Sequence, residues 1–365
     1  MKKVEDLSCR MVAFDSQNFD TEILEALSTD RIFAVKQLPE ELQLAINNLF
    51  LSGDDLFDNI HENSETTDYH NARKYKFGCN NGSRFFINFN KGNDISNETM
   101  PLFHNEPLMA DAAKKYNSYT DIIITKVAEA IAKKHSIQPA ELVNALIGES
   151  WIGLTRYYPL TQKRIVQMYN DKVLQIDNQS VLQFVPHLDV TPITLIAYRG
   201  EIRGLMGQDP SSKVFKNITV NSNGEPFILV FTGITLKYLT NGWIKPLKHQ
   251  VVTSAQEQQI EAKRPSNEWR FSLAKFSLCN RLQIEPLPTI DGQRILPPHQ
   301  PKKDRQYPIE KAQFFAEKMA KNQELSRGVY TSQLPEDLIL NYPTEVAEKD
   351  LYVAEFGEDC IGSYK

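Results

Sequence analysis

The sequence has few cysteines, and no two of them lie at the close spacing of a disulfide or zinc-binding motif. The four cysteines, Cys9, Cys79, Cys279 and Cys360, lie far apart along the chain. Disulfide frameworks and structural zinc sites use cysteines at close, repeated spacings, so this pattern argues against both. It is typical of reduced thiols, and we therefore expect a cytoplasmic protein.

Long apolar runs and an excess of positive charge are also missing. The longest strongly apolar run near the middle, Phe227–Phe231, is far shorter than the roughly 20 residues that span a bilayer. No apolar stretch of signal-peptide length follows Met1, so we expect neither a leader nor a membrane span. The formal net charge is −5, which gives no support for nucleic acid or an anionic membrane as a partner.

The first 150 residues alternate between helix and strand patterns, which predicts a mixed, largely helical N-terminal region that packs on a separate core. Strands are predicted at 12–14 and 32–35, and helices at Thr21–Leu27, from Pro39 to a stop at Gly53, along the stripe Ile123, Val127 and Ile131, and at Pro139–Ile147. The interval 52–118 is predicted to be irregular and polar, apart from one hairpin around Asn81-Gly82.

From residue 151 the runs become short, β-branched or aromatic, and they are separated by Gly, Pro and Asn. Examples are Ile193–Tyr198, Phe227–Phe231, His249–Thr253 and Arg270–Leu278. Such runs are typical of a β-sandwich or a closed barrel, so we expect a β core over residues 151–285. Residues 286–365 are expected to form a proline-rich linker, a helix that begins at Pro308, and a tail.

His187 and Asp189 are the most informative residues of the β core. At a strand edge their side chains point to the same side, because side chains alternate with period two. His249 lies 60 residues after Asp189 (249 − 189) and begins another apolar run, so a barrel can bring it back to the first pair. Two imidazoles and one carboxylate with open positions are the arrangement of non-haem Fe(II) oxygenases. Each residue alone has an ordinary alternative as a chance neighbour or a partly buried histidine.

Arg270 and Ser272 form a second element, and period two again places them on one face of a strand. A guanidinium offers a planar fork to a carboxylate, and the hydroxyl adds a further donor. The pair suits the distal carboxylate of 2-oxoglutarate, whose keto acid end would chelate the iron. A solvated strand edge is the ordinary alternative for Arg-x-Ser.

These motifs together resemble the iron(II)/2-oxoglutarate-dependent dioxygenases related to isopenicillin N synthase. The resemblance runs from about Ile147 to Leu278 and keeps the family's order. Its motifs are Gly148-Glu149-Ser150, Leu154–Pro159, Pro186–Asp189, Thr194-Leu195-Ile196, Gly204-Leu205, Leu239–Gly242, His249 and Arg270-Phe271-Ser272.

The resemblance implies a fold that is mainly β with flanking helices (α+β), built on a double-stranded β-helix, or jelly-roll, barrel. It implies a metal site at His187, Asp189 and His249, and 2-oxoglutarate binding by Arg270 and Ser272. Tyr158 stands where the family has a tyrosine that also touches the cosubstrate.

Two features depart from the family pattern. Arg156 stands where the family usually has asparagine, and it either holds a cosubstrate or substrate carboxylate or forms a surface ion pair. The interval from His249 to Arg270, 21 residues (270 − 249), is longer than usual. Its polar part, Ser254–Asn267, is expected to be a protruding loop that shapes the entrance or is a tolerated insertion.

The expected activity is oxidation of a small organic molecule by hydroxylation, desaturation or ring closure, with Fe(II), O2 and 2-oxoglutarate, which becomes succinate and CO2. Two alternatives stay open. In the first, the protein is an Fe(II) oxidase in which Arg270 and Ser272 bind a substrate carboxylate. In the second, it is a non-catalytic binding protein on the same barrel. Residues 52–118 and 281–325 are the candidates for the lid of the substrate pocket.

Overall fold

Short β-branched and aromatic runs of the chain form strands that associate into two sheets. The computed structural model describes residues 6–62, 76–80, 84–90, 106–147, 150–157, 159, 180–189, 191–240 and 242–277. The eight strands of the large sheet are, in order across it, β2 (Arg10–Ala13), β3 (Ile32–Lys36), β11 (Ile228–Thr232), β8 (Ile193–Tyr198), β13 (Phe271–Ser277), β6 (Ser150–Tyr157), β5 (Arg84–Asn90) and β4 (Lys76–Asn80). The five strands of the small sheet are β1 (Leu7–Ser8), β10 (Phe215–Thr219), β9 (Leu205–Gln208), β12 (His249–Ser254) and β7 (Ser180–His187).

Helices come mainly from the first 150 residues. They are α1 (Phe19–Thr29), α2 (Glu40–Glu62), α3 (Glu106–Lys134) and α4 (Pro139–Leu146), followed by the short helices α5 (Ile234–Leu239) and α6 (Ala255–Glu261). Proline in the first turn of α4 suits a position whose N–H has no partner within the helix. No helix within the described ranges is both long and apolar enough to cross a bilayer.

The large sheet is covered on both faces. Strand β11 shows this directly, since all five of its residues are buried. Ile228 and Val230 belong to a core that the sheet shares with α1–α4, whereas Leu229 and Phe231 belong to a second core. Because side chains alternate along a strand, the two sets lie on opposite faces of the sheet.

The second core lies between the two sheets. Ala34 and Leu229 of the large sheet pack there with Leu205, Ile218 and Val251 of the small sheet. The architecture is therefore helices on a large sheet, with a small sheet on its other face. The expectation of a fold that is mainly β with flanking helices is confirmed for the described residues.

Most of the predicted elements lie where the sequence placed them, including the hairpin of β4 and β5. The prediction that Gly53 stops its helix is wrong, because α2 continues to Glu62. The interval 52–118 is also less irregular than predicted, since α3 already begins at Glu106. The predicted linker and C-terminal helix lie outside the described residues.

Gly53 is inside α2 because the helix lies very close to the large sheet at this point. A Cβ atom at position 53 would lie 2.6 Å from Leu154 Cδ2 and 2.6 Å from Phe271 Cζ. Both of these side chains are fully buried, so they have little room to move. The glycine therefore serves close packing of helix on sheet rather than helix termination.

Replacing Gly53 with alanine tests this packing. Alanine in a helix interior normally stabilises by about 1 kcal/mol relative to glycine. Here overpacking against Leu154 and Phe271 costs about 1–3 kcal/mol, so we expect G53A to lower the free energy of unfolding. The measurement is the midpoint of urea denaturation. Leu44→Ala, at a position of α2 that is 54% exposed, is the control and should change stability by less than about 0.5 kcal/mol. A more stable G53A protein would contradict the packing argument.

Candidate metal and cosubstrate site

Antiparallel pairing of β7 with β12 places two histidines directly opposite each other. His187, the last residue of β7, is the register partner of His249, the first residue of β12. Side chains of directly opposed residues lie on the same face of a sheet. The two imidazole rings are accordingly 4.2 Å apart between centroids, and both are buried, with 6% and 5% exposure.

Asp189 completes this group two residues after the end of β7. Its Oδ1 atom lies 3.6 Å from His187 Nε2 and 3.8 Å from His249 Nε2. One donor atom from each of the three residues lies within 4.8 Å of the other two. The structure therefore brings together the three residues that the sequence predicted as metal ligands.

Hydrogen bonds orient two of these three side chains. His249 Nδ1 lies 3.1 Å from the Leu247 carbonyl oxygen. A carbonyl only accepts, so Nδ1 is the donor in this contact, and Nε2 lies 3.8 Å from Asp189 Oδ1. On Asp189, the Thr194 hydroxyl donates to Oδ2, which leaves Oδ1 directed at the imidazoles. Such outer contacts fix the tautomer and the orientation of ligands in metal sites. Two imidazoles and one carboxylate, oriented in this way, fit Fe(II) with open positions.

A glycine permits the backbone near Asp189 to pack against the large sheet. A Cβ atom at Gly233, just after β11, would lie 1.8 Å from the Thr191 carbonyl oxygen and 2.6 Å from that of Asp189. The Gly233 N–H donates to the Pro192 carbonyl at 2.9 Å. Any side chain at position 233 would push the Asp189 segment away, because the atoms it meets belong to the backbone.

Arg270 and Ser272 lie on the face of the large sheet that is turned toward the small sheet. Their neighbours Phe271 and Leu273 belong to the core on the helix side, so alternation places Ser272 on the opposite face. Tyr198, the register partner of Ser272 on β8, packs against the core between the sheets. The expectation that period two places Arg270 and Ser272 on one face is met.

The Arg270 guanidinium is buried and is held by an aromatic ring and a carbonyl. Its Cζ atom is 3.6 Å from the centroid of the Tyr157 ring, and Nη1 donates to the Arg203 carbonyl at 2.7 Å. Burial lowers the pKa of Arg270, while the nearby Tyr157, Tyr198 and Glu261 oppose that shift. Burial raises the pKa of Tyr198, so its phenol stays protonated near neutral pH and can donate a hydrogen bond.

The segment around Gly204 connects the metal strand with Arg270. The Val252 N–H of β12 donates to the Gly204 carbonyl at 2.8 Å. A Cβ atom at Gly204, whose φ is +73°, would lie 2.9 Å from Arg270 Nη1. Val252 is three residues after His249, which corresponds to about 10 Å along a strand. The backbone that supports Arg270 therefore runs beside the strand that carries a predicted metal ligand.

Arg156 is not brought together with Arg270 and Ser272. Its register partner is Phe271, and both point toward the helices rather than into the space between the sheets. Its Nη1 lies 3.2 Å from Asp54 Oδ1 and its Nη2 lies 2.7 Å from Asp58 Oδ1, both on α2. The Arg156 side chain is 0% exposed and that of Asp54 is 12% exposed, so this pair is buried, which corrects the expected surface ion pair, whereas Asp58 is 48% exposed. We therefore leave Arg156 out of the proposed cosubstrate site.

The polar stretch 254–267 is not a plain loop. It begins with α6, where Ser254 and Glu257 form a reciprocal capping box. The last residue of α6, Glu261, accepts a hydrogen bond from Arg203 Nη1 at 2.6 Å and another from the Arg270 N–H at 2.6 Å. The expected protruding loop is thus corrected to a helix that contacts Arg270.

Sequence reasoning missed several residues that contact the predicted ones. Alternation along β6 and β8 could have identified Tyr157 and Tyr198, but only with the strand register known. Thr194 stands in one of the motifs, but the sequence gives it no role. Arg203 and Glu261 carried no usable signal, because their contacts depend on the path of the 254–267 stretch. Tyr158, predicted to touch the cosubstrate, lies outside the described residues.

Replacing Thr194 with valine tests the hydrogen bond to Asp189. Valine has nearly the same shape but no hydroxyl, so Asp189 Oδ2 loses its donor. Loss of such a contact typically weakens metal binding about 10- to 100-fold, and we expect a loss in that range. The measurement is titration of the purified protein with Fe(II) under anaerobic conditions. Thr219→Val, at an exposed strand position, is the matched control and should bind metal like the parent protein. Equal affinities for T194V and the parent would show that the bond has no such role.

Comparisons with known proteins place this geometry in a wider context. No family model and no curated protein sequence matches the chain. Solved structures do match. A 2OG-Fe(II) oxygenase family protein of Caulobacter crescentus aligns with a TM-score of 0.59 at 16% identity, over 79% of this chain and 94% of its own.

Two further similar structures contain 2-oxoglutarate. A full-length Neurospora crassa protein in complex with alpha-KG aligns with a TM-score of 0.56 at 16% identity, over 79% of this chain and 91% of its own. The Arabidopsis thaliana dioxygenase for auxin oxidation 1, in its 2-oxoglutarate complex, aligns with a TM-score of 0.52 at 16% identity, over 76% and 95%. The resemblance inferred from the motifs is thus confirmed at the level of the fold, and the chain has the fold of the 2-oxoglutarate- and Fe(II)-dependent oxygenases.

Proposed function

We propose that the protein is an Fe(II)/2-oxoglutarate-dependent dioxygenase that oxidises a small organic molecule by hydroxylation, desaturation or ring closure. One observation carries the proposal. Two imidazoles and a carboxylate converge within 4.8 Å, between sheets whose facing side chains include a buried arginine and a serine at strand positions two residues apart. The facing sheets also support the finer expectation of a double-stranded β-helix barrel.

The three converging residues would hold the metal. His249 Nε2, His187 Nε2 and Asp189 Oδ1 face one another, and the orienting contacts of His249 and Asp189 are already in place. When bound, Fe(II) and 2-oxoglutarate supply the oxidising chemistry, in which O2 is consumed and 2-oxoglutarate becomes succinate and CO2. The tasks left to the protein are to hold these groups, to exclude water and to orient one bond of the substrate.

Arg270 and Ser272 would bind the distal carboxylate of 2-oxoglutarate. The guanidinium is a fixed cation in a buried setting, where a charge-assisted hydrogen bond is stronger than in water. Tyr157 beneath it restricts its orientation, and the protonated phenol of Tyr198 is a further donor nearby. His249 and Val252, which contacts the Gly204 segment beside Arg270, are about 10 Å apart along β12. This separation suits a ligand with one end on the metal and the other at Arg270. Tyr158 remains a predicted additional contact.

A small organic substrate agrees with the proteins that share the fold. Structures of the Neurospora crassa protein contain 5-formyluracil or thymine, and the Arabidopsis protein is named for auxin oxidation. The division into residues 1–150, 151–285 and 286–365, a lid from 52–118 and 281–325, and a cytoplasmic location remain predictions.

Spectroscopic titration separates the proposal from its two alternatives. Anaerobic protein with Fe(II) should develop a weak metal-to-ligand charge-transfer band when 2-oxoglutarate is added. With O2, ascorbate and candidate substrates it should form succinate above background. An iron-loaded protein without the band would favour the oxidase in which Arg270 and Ser272 hold a substrate carboxylate. A protein that neither binds Fe(II) nor gains stability from it would favour the non-catalytic binding protein.

Replacing Arg270 with lysine tests the carboxylate site. Lysine keeps the charge but offers a point charge in place of a planar fork, and it cannot stack in the same way on Tyr157. We expect the dissociation constant for 2-oxoglutarate to rise about 10- to 100-fold, with Fe(II) affinity little changed. Arg10→Lys, in a partly exposed pair with Glu25, makes the same exchange away from the site and should leave both affinities unchanged. An R270K protein that binds 2-oxoglutarate normally would remove Arg270 from the proposed site.

A further inference from the structure

Glu261 ends α6 and connects two arginines near the proposed cosubstrate site. Its Oε2 accepts from Arg203 Nη1 at 2.6 Å, and its Oε1 accepts from the backbone N–H of Arg270 at 2.6 Å. The carboxylate side chain is 13% exposed, so water competes little for it. Both bonds are charge-assisted, and such bonds are roughly twice as strong as neutral ones.

The contacts of Glu261 close a ring around Arg270. The Arg203 side chain donates to the Glu261 carboxylate. The backbone carbonyl oxygen of Arg203 accepts from Arg270 Nη1 at 2.7 Å. Glu261 thus fixes Arg270 in two ways: directly through the main chain, and indirectly through the position of Arg203. The guanidinium has its third restraint in the Tyr157 ring, at 3.6 Å from Cζ.

Helix α6 is anchored in a way that holds Glu261 in place. It follows directly on β12, and the capping box of Ser254 and Glu257 satisfies its first turn. One turn later, the buried Gln258 donates from Nε2 to Thr253 Oγ1 at 2.6 Å, which ties the helix to the end of β12. Glu261 lies a further turn along. The helix therefore connects the end of β12, the strand that begins at His249, to Arg270, which directly precedes β13.

We propose that Glu261 is a positioning residue that holds Arg270 in the orientation needed to receive the distal carboxylate of 2-oxoglutarate. The inference rests on the proposed function. It also assigns a role to the stretch 254–267, for which shaping of the entrance and tolerated insertion were the two expectations. In this role the stretch 254–267 is a brace, by which we mean that Glu261 and its contact with Arg203 hold Arg270 in position.

Glu261→Gln is the variant of choice, since glutamine has the same size but only one acceptor oxygen. Its amide group would face a donor on Arg203 or Arg270, so one of the two anchors is lost. We expect the dissociation constant for 2-oxoglutarate to rise about tenfold in the anaerobic Fe(II) protein. The charge-transfer band measures this binding. Coulomb interaction alone predicts the reverse, because removing a negative charge near the site favours a dianion. Unchanged or tighter binding would therefore overturn the inference.

The matched control is Glu257→Gln on the same helix. It makes the same change of charge, and glutamine is accepted at this position of a capping box. We expect the affinity of E257Q for 2-oxoglutarate to stay within about twofold of that of the parent protein. A tenfold loss in E257Q as well would attribute the effect to the charge or stability of α6, and would overturn the role assigned to Glu261.

A second ligand distinguishes positioning of Arg270 from general damage. 2-Oxobutyrate has the keto acid end that chelates iron but no distal carboxylate. Positioning by Glu261 predicts that E261Q weakens 2-oxoglutarate binding and leaves 2-oxobutyrate binding within about twofold. Equal weakening of both acids would overturn the inference, because it would place the damage at the metal ligands.

Arg203→Lys provides an independent variant should E261Q fold poorly. It keeps the charge and the carbonyl that contacts Arg270, but it replaces the guanidinium that receives Glu261. We expect a smaller loss of 2-oxoglutarate affinity, about threefold, with 2-oxobutyrate again unaffected, and unchanged affinity would count against the brace. Parent protein that binds Fe(II) but not 2-oxoglutarate would refute the proposed function itself. Normal parent binding with normal variants would refute the brace alone.

Discussion

The antiparallel pairing of β7 with β12 is the constraint on which the candidate metal site depends. It places His187 directly opposite His249, although the two residues are 62 positions apart in the chain (249 − 187). Asp189, the third predicted ligand, lies two residues after the last residue of β7 in the small sheet and accepts a hydrogen bond from Thr194 of β8 in the large sheet. The orientation of Asp189 therefore depends on the packing of the two sheets. Metal binding and sheet packing should be thermodynamically coupled for this reason.

Strand β13 serves both sides of the large sheet. Its inner face, with Ser272, is turned to the small sheet, and Arg270 just before the strand follows the same alternation. Its outer face contacts the helices through Phe271 and Lys275. Lys275 is 0% exposed and donates to Asp121 Oδ1 at 2.6 Å and to Thr120 Oγ1 at 2.9 Å, both on α3. A buried ammonium without such acceptors would be costly, so these bonds also fix where α3 lies on the sheet.

The sequence predicted features that depend on local spacing. The strands around His249 and Ser272 and the helix of Ile123 follow from periods of 2 and 3.6. The three predicted ligands have a spacing that a β core can bring together, and the structure places them within 4.8 Å of one another. Features that depend on the distance between elements were not predictable. Gly53 has the local pattern of a helix stop, yet the close approach of α2 to Leu154 and Phe271 decides its role.

Arg156 shows the same limit for charged residues. Its place in a motif suggested a ligand for a carboxylate, and the carboxylates it meets are Asp54 and Asp58 on α2. Which face of β6 it occupies depends on the register with β13, where its partner is Phe271. A shift of register by one residue would have moved Arg156 to the inner face. Sequence alone does not fix that register.

The buried charges around Arg270 belong to a single arrangement. Asp54 on α2 pairs with Arg199 as well as with Arg156, and Arg199 Nη2 donates to the Trp269 carbonyl at 2.7 Å. That carbonyl belongs to the same peptide group as the Arg270 N–H, which donates to Glu261. Charged side chains thus hold both polar atoms of the peptide group that precedes Arg270. Burying several charges gains little stability, but each one has a defined partner, which makes alternative orientations of this peptide costly. A rigid peptide before Arg270 is what the proposed carboxylate site needs, since the guanidinium would then meet its ligand without reorganisation.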